Sequence, residues 1–335
     1  MIDTIYYEQS IAKHPRTQAI FSRFPHAARI SCGRYGEVFN RRAQSFRLQK
    51  QRPSLILAHK HENFVLETPD GYGIGGEHNY YFSHMLNCVY DCRYCFLQGM
   101  YQSAHYVLFV NYEDFADAIA AKATTTALED HYFFSGYDCD SLALDNVTEF
   151  ANFILPLFGS LENAWLELRT KSVQTRALEE CQPLDRVIVA FSMTPSDISQ
   201  VTEHKVPKLT QRIAAMQGLA ERGWQLGLRF DPLLYFHNWQ SAYHELFSQV
   251  FSSIQPVAVH SVSLGALRFP KAIYDRIVKM YPEEPLLAGP MDLDDGLKSY
   301  PQTIQNKMNN ACYEMLLKWI PADRLFCCQQ ESKAS

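Results

Sequence analysis

The residues of this chain best suited to chemistry are three cysteines within eight positions, in the run Cys88-Val89-Tyr90-Asp91-Cys92-Arg93-Tyr94-Cys95. Thiolates are soft ligands that select zinc or iron–sulfur clusters. A closed zinc site takes four nitrogen or sulfur ligands, commonly as two spaced pairs. No second pair follows here, so His84 or His105 would have to complete such a site. A [4Fe–4S] cluster is normally held by four cysteines, and three leave one iron without a protein ligand. A disulfide framework fits poorly, because a chain of 335 residues buries a large core without staples.

The C-x3-C-x2-C spacing, with Tyr94 just before the last cysteine, resembles the cluster motif of the radical S-adenosylmethionine (SAM) enzymes. That resemblance implies that Cys88, Cys92 and Cys95 hold a [4Fe–4S] cluster whose open iron chelates the amino and carboxylate groups of S-adenosyl-L-methionine. It further implies one-electron cleavage of the sulfonium and hydrogen abstraction from a substrate by a 5′-deoxyadenosyl radical. Tyr94 takes the motif's aromatic position, which in those enzymes lies against the adenine.

Such a loop must be positioned by a scaffold. After it, apolar strands alternate with helical patterns, which predicts βα units and a parallel sheet. Strands are expected at Tyr80–Phe82, His131–Ser135, Trp165–Arg169, Val187–Ser192, Gln225–Phe230 and Val257–Leu264, with helices at Tyr112–Thr124, Asn146–Phe158, Val173–Glu180, Lys208–Glu221 and Trp239–Ser253. Six repeats make an α/β fold, a partial (βα)6 barrel of the radical SAM type, and such barrels carry chemistry at the C-terminal ends of their strands. There the sequence places Ser135, Gly136, Tyr137 and Cys139 after the second strand, Lys171 after the third, Ser192 at the fourth and Arg229 in the fifth. Lys171 or Arg229 can take the carboxylate of a zwitterionic cofactor, and Ser135 and Ser192 its ammonium.

Further matches resemble one family within that group, the spore photoproduct lyases, through most of the chain. Phe46-Arg47-Leu48-Gln49-Lys50 leading into Leu55-Ile56-Leu57 resembles the segment ahead of that family's cluster domain. Cys95-Phe96-Leu97-Gln98 is similar to its C-Y-L-Q, and Ser192 in Phe-Ser-Met to the serine of its F-S-I-N. Lys171 falls where the family has a SAM-binding lysine. His237-Asn238-Trp239 and Tyr243–Phe247 resemble its H-E-G-W and Y-R-H-L-F, and Arg268-Phe269-Pro270-Lys271 its R-F-T-K, whose arginine and lysine lie near the lesion. The likeness implies a lyase that repairs a thymine-dimer lesion in DNA, with Arg268 and Lys271 at the substrate.

Three departures bear on that implication. The family's hydrogen-donor cysteine aligns with Gly136 or Tyr137, and the nearest thiol is Cys139. Its second relay tyrosine is Phe96 here, leaving Tyr94. Its basic hairpin is replaced by the acidic run Pro290–Gly296, which would repel phosphate. A radical SAM enzyme acting on a small molecule, peptide or RNA therefore stays open, as does a zinc-binding protein without catalysis.

Charge and punctuation complete the reading. Between Lys13 and Lys60 eleven bases face Glu37 alone, a local +10 that leaves −15 for the rest of a chain of net −5. With interleaved aromatics this arm can bind DNA, or it can pack onto an acidic barrel and be neutralised by it. Prolines 15, 25 and 53 predict irregular structure with short helices there. The expected domains are a basic extension over 1–78, the barrel over 79–285 and a closing helix and strand over 286–335. No apolar run is long enough to span a membrane, which points to the cytoplasm. An electron donor such as flavodoxin or ferredoxin is the implied partner.

Overall fold

The computed structural model describes residues 2–69, 71–126 and 129–328. Its main sheet carries seven parallel strands in sequence order: His78–Phe82, His131–Ser135, Ala164–Thr170, Val187–Ser192, Gln225–Leu233, Val259–Ala266 and Leu325–Cys327. The short strand Leu66–Glu67 runs antiparallel at the first edge. Helices Tyr112–Ala123, Phe150–Ser160, Leu209–Glu221, Trp239–Ser253 and Gln302–Leu316 cross between them. Strand Val187–Ser192 is buried at every residue, as expected where both faces of a parallel strand are covered. The helices explain themselves by spacing. Tyr112, Phe115, Ile119 and Ala123 bury one stripe of the first, and Trp239, Tyr243, Leu246, Phe247 and Val250 one stripe of another.

The six strands read from sequence all form, and the C-terminal helix and strand add a seventh to the open edge. The arm is the correction. The short helices form at Pro15–Arg23 and Phe46–Gln51, and the apolar run after Pro53 is the strand its composition suggests, but the rest is not irregular: the arm contains a second sheet, with Ala28–Cys32, Thr4–Glu8, Leu55–Ala58 and Tyr106–Phe109 parallel and Met85–Leu86 antiparallel at the end. Strand Ala28–Cys32 is exposed along almost its whole length. It carries no alternation to read, and only its ladder to Thr4–Glu8 defines it. Tyr106–Phe109 and Met85–Leu86 join this sheet from beyond residue 78, because the chain returns to it after the first barrel strand.

Three of the arm's eleven bases pair with acids of the rest of the protein. Arg16 pairs with Glu113 (2.7 Å) and lies over Tyr112, Arg23 pairs with Glu149, and Arg47 with Glu283 (2.7 Å). Of the two roles open to this segment, packing and neutralisation account for these three arginines. Among the described residues no helix is long and apolar enough to cross a membrane.

Candidate active site

The loop carrying the cysteines is bolted down before any ligand arrives. Asp91 and Cys92 pair antiparallel with His204 and Glu203, and the Arg93 amide donates to the Thr202 carbonyl at 2.8 Å. Amides of Cys95 and Gln98 then donate to Cys92 and Cys95 carbonyls, both at 3.1 Å, and turn the chain into the short helix Leu97–Met100. All three thiols line one cavity of about 480 Å³ at the C-terminal mouth of the barrel. Burial pushes the Cys88 thiol up to about 12 and raises Cys92 and Cys95 as well. Amides of Tyr90 and Leu97 donate to the Cys88 and Cys95 sulfurs, which favours their thiolate forms.

The geometry bears on which metal three thiols could serve. Among the described residues no three His, Cys, Asp or Glu side chains converge on the place of a single ion. The histidines that would complete a zinc site are committed elsewhere. His84 stacks on Phe150 at 3.9 Å, fully buried, and the His105 Nδ1 accepts from the Ser54 amide at 3.0 Å. In a [4Fe–4S] cluster each cysteine takes its own iron, so its sulfurs need not converge, and this loop suits that group.

Glu203 is the centre of the adjoining wall. Its Oε1 accepts from the Tyr94 hydroxyl and lies 3.4 Å from Lys171 Nζ. Its Oε2 accepts from Arg212 and Ser199, both at 2.7 Å. These cations and donors outweigh burial and hold its carboxyl at about 2. Asp140 ties down the end of the third strand, accepting from Thr170 Oγ1 (2.6 Å), the Lys171 amide (2.7 Å) and the Leu142 and Ala143 amides, although burial raises its carboxyl.

Most expected residues meet here. Ser135, Gly136, Tyr137, Cys139, Lys171, Ser192, Tyr94 and Arg268 all line the cavity with the three cysteines. Gly136 has φ +84°, and a Cβ there would stand 2.5 Å from Ser141 Oγ, so this turn excludes a side chain at that position. A thiol is supplied instead by Cys139, buried and pushed well up by burial and by Cys88 beside it. Tyr137 stacks obliquely on Tyr81 at 4.3 Å and reaches Phe96 at 5.5 Å. Arg268 is held by the Tyr72 hydroxyl (2.8 and 3.1 Å) and by Asp231 (3.8 Å).

Two expected residues are elsewhere. Arg229 does not offer its charge to a cofactor carboxylate. It is fully buried inside the barrel, where Glu167 takes its Nη2 at 2.6 Å and its Nε at 3.1 Å and Ser261 takes the rest. Lys271 does not face a substrate either, because it begins an exposed helix and pairs one turn on with Asp275. Arg169, also bonded to Glu167, supplies the cation at the cavity in Arg229's place.

Sequence reasoning missed Glu203, Arg212, Asp140 and the buried Lys50. Only Arg212 left a signal: it falls on the stripe of Leu209, Ile213 and Met216, and a charge on an apolar face demands a buried counter-ion.

The model of the spore photoproduct lyase family matches residues 77–297. This chain belongs to that family. It is 24% identical over 216 residues to the spore photoproduct lyase of Bacillus subtilis (strain 168), and 23% identical over 216 residues to that of Geobacillus sp. (strain Y412MC61). Each match covers 64% of this chain and 62% of the relative, so the chain spans under two thirds of those curated relatives. Solved structures agree over more of the fold. A spore photoproduct lyase complexed with dinucleoside spore photoproduct superposes with a TM-score of 0.82 at 17% identity, and a mutant with bound AdoMet and the same dinucleoside with 0.83 at 16%. Both cover 98% of either chain. The α/β partial barrel of the radical SAM type is therefore the fold of this member as well.

Proposed function

We propose that this protein is a radical SAM lyase that repairs a thymine-dimer lesion in DNA, the activity that its resemblance to the spore photoproduct lyases implies. The observation that carries the reading is one cavity lined by three loop thiols, Lys171 and the buried Ser135 and Ser263 hydroxyls, which have no partners among the described residues. Cys88, Cys92 and Cys95 would hold a [4Fe–4S] cluster, and the residues fit it by the donor set and the N–H···S bonds above. With S-adenosyl-L-methionine bound, that group supplies a 5′-deoxyadenosyl radical at the substrate.

The chain's own residues then have separable tasks. Lys171, already sharing Glu203 with Arg212, can turn its ammonium to a cofactor carboxylate without leaving Glu203 unpaired. The Ser135 hydroxyl, fully buried and without a partner, and Ser192 are acceptors for the cofactor's ammonium, and Tyr94 borders the adenine. Arg268 and Tyr72 orient the lesion. Cys139, or Tyr137 beside it, returns a hydrogen to the product. Positioning and exclusion of water are the main protein contributions to such chemistry. A flavodoxin or ferredoxin is the reductant we infer, and the cytoplasm the compartment.

Anaerobic reconstitution followed by incubation with dinucleoside photoproduct tests the reading: 5′-deoxyadenosine and thymine monomer are both expected. A second reading keeps the same chemistry on a non-DNA substrate. The hairpin Asp292–Asp294 and Leu297–Ser299 favours it, since the first of these strands is exposed and acidic and the second reaches the cavity through Leu297. Formation of 5′-deoxyadenosine without thymine release would select that alternative.

A further inference from the structure

Four cations line the cavity, Lys50, Arg169, Lys171 and Arg268, and among the described residues three of them are paired with a carboxylate. Lys171 has Glu203, Arg169 has Glu167, Arg268 has Asp231, and Arg93 on the loop has Asp91 at 2.6 Å. Lys50 is the exception. It comes from the helix Phe46–Gln51 of the N-terminal part, is 6% exposed, and lines the cavity beside the cysteines. Its Nζ donates to the Cys88 carbonyl at 2.7 Å, and among the described residues no carboxylate is paired with it. Its own carbonyl accepts from Lys205 Nζ at 2.9 Å, which fixes the helix end against the segment laddered to the cysteine loop. A buried ammonium that donates to a neutral carbonyl, with Asp91 acting on it only from beyond ion-pair distance, costs stability unless further negative charge comes to it.

We propose that Lys50 is the built-in counter-ion of the cluster and sets its reduction potential. The inference rests on the reading that Cys88, Cys92 and Cys95 hold a [4Fe–4S] group. With three thiolates the group is anionic, and an added electron makes it more so. A fixed cation beside it in a medium of low dielectric therefore stabilises the reduced form more than the oxidised one. Lys50 is a positioning residue in this sense: it touches the loop and acts on the site through its charge.

The test is an anaerobic redox titration followed by electron paramagnetic resonance, on reconstituted wild type, Lys50→Met and Lys50→Gln. Glutamine keeps a donor for the Cys88 carbonyl and loses the charge. Both variants are expected to hold the wild-type amount of iron and to reduce with an equilibrium constant at least about tenfold smaller, a fall of about 59 mV for one electron. A midpoint equal to wild type in either variant that holds its cluster overturns the proposal. So does loss of iron from both, which would make the cation a cluster-retaining rather than a potential-setting group. Absence of a cluster signal from reconstituted wild type would instead sink the reading beneath it.

Discussion

The two walls of the cavity are finished to different degrees. On the cluster side the two carboxylates are already satisfied: Glu203 has four partners and Asp140 four, all inside the protein. Elsewhere in the lining, Ser135 Oγ and Ser263 Oγ are fully buried, border the same space and have no hydrogen-bond partner among the described residues. Buried polar groups are seldom left unpaired without a reason. The contrast separates a wall preorganised to hold a loop rigid from a wall whose last bonds are left to a ligand. Preorganised donors cost no rearrangement when chemistry begins, whereas unpaired hydroxyls make binding selective.

Substitution at the cysteines should break the first wall outright. Cys88→Ala, Cys92→Ala or Cys95→Ala is expected to abolish both the iron–sulfur absorbance and 5′-deoxyadenosine formation; a variant that kept both would remove that residue from the ligand set.

Glu203→Gln tests the wall's rigidity. Removing the charge from a buried pair costs about 3–5 kcal/mol, measurable as a shift in urea midpoint at pH 7. Because the folded carboxyl lies at about 2, below its ordinary 4.5, its stabilising effect is complete above the ordinary value and fades as pH falls toward 2. The gap between wild type and Glu203→Gln should therefore close across that window. A gap independent of pH would mean that packing, not charge, holds the loop.

Cys139→Ala addresses the residue between the walls. Thymine release should drop by at least about tenfold, ~1.4 kcal/mol in barrier, while 5′-deoxyadenosine continues to form. Product yields that fall together would instead assign Cys139 to the cofactor's wall.

Ser263→Ala should have the smallest effect and the most telling sign. Deleting an unpaired hydroxyl is expected to leave the melting temperature of the free protein unchanged or slightly raised, whereas Thr170→Ala, which strips Asp140 of a donor, costs about 1 kcal/mol. Equal losses at both positions would erase the distinction between the walls.

The legible residues share a property: their function or packing was written in local spacing. The cysteine triplet has a spacing with chemical meaning, and the barrel strands are short apolar runs between amphipathic helices, so both were read directly. Residues that act by pairing across the fold were not. Arg229 and Lys171 look equivalent in sequence, each a base at a strand end. Glu167, on the strand that leads into Lys171 and two strands away from that of Arg229, claims Arg229 and leaves Lys171 to face the cavity. Gly136 likewise looked like a missing cysteine, and its positive φ against Ser141 makes it a required glycine.

The sequence by itself determined the cysteine triplet, the alternation of strands and helices and the face of the barrel that carries the site, because each follows from patterns a few residues long. Tertiary structure alone decided which charges are free. The basic arm illustrates the division: its positive charge is plain in the sequence, but Arg16, Arg23 and Arg47 find acids of the remaining chain, while Lys50 reaches the cysteine loop without one. Coulomb pairing depends on distances that contiguous sequence does not encode.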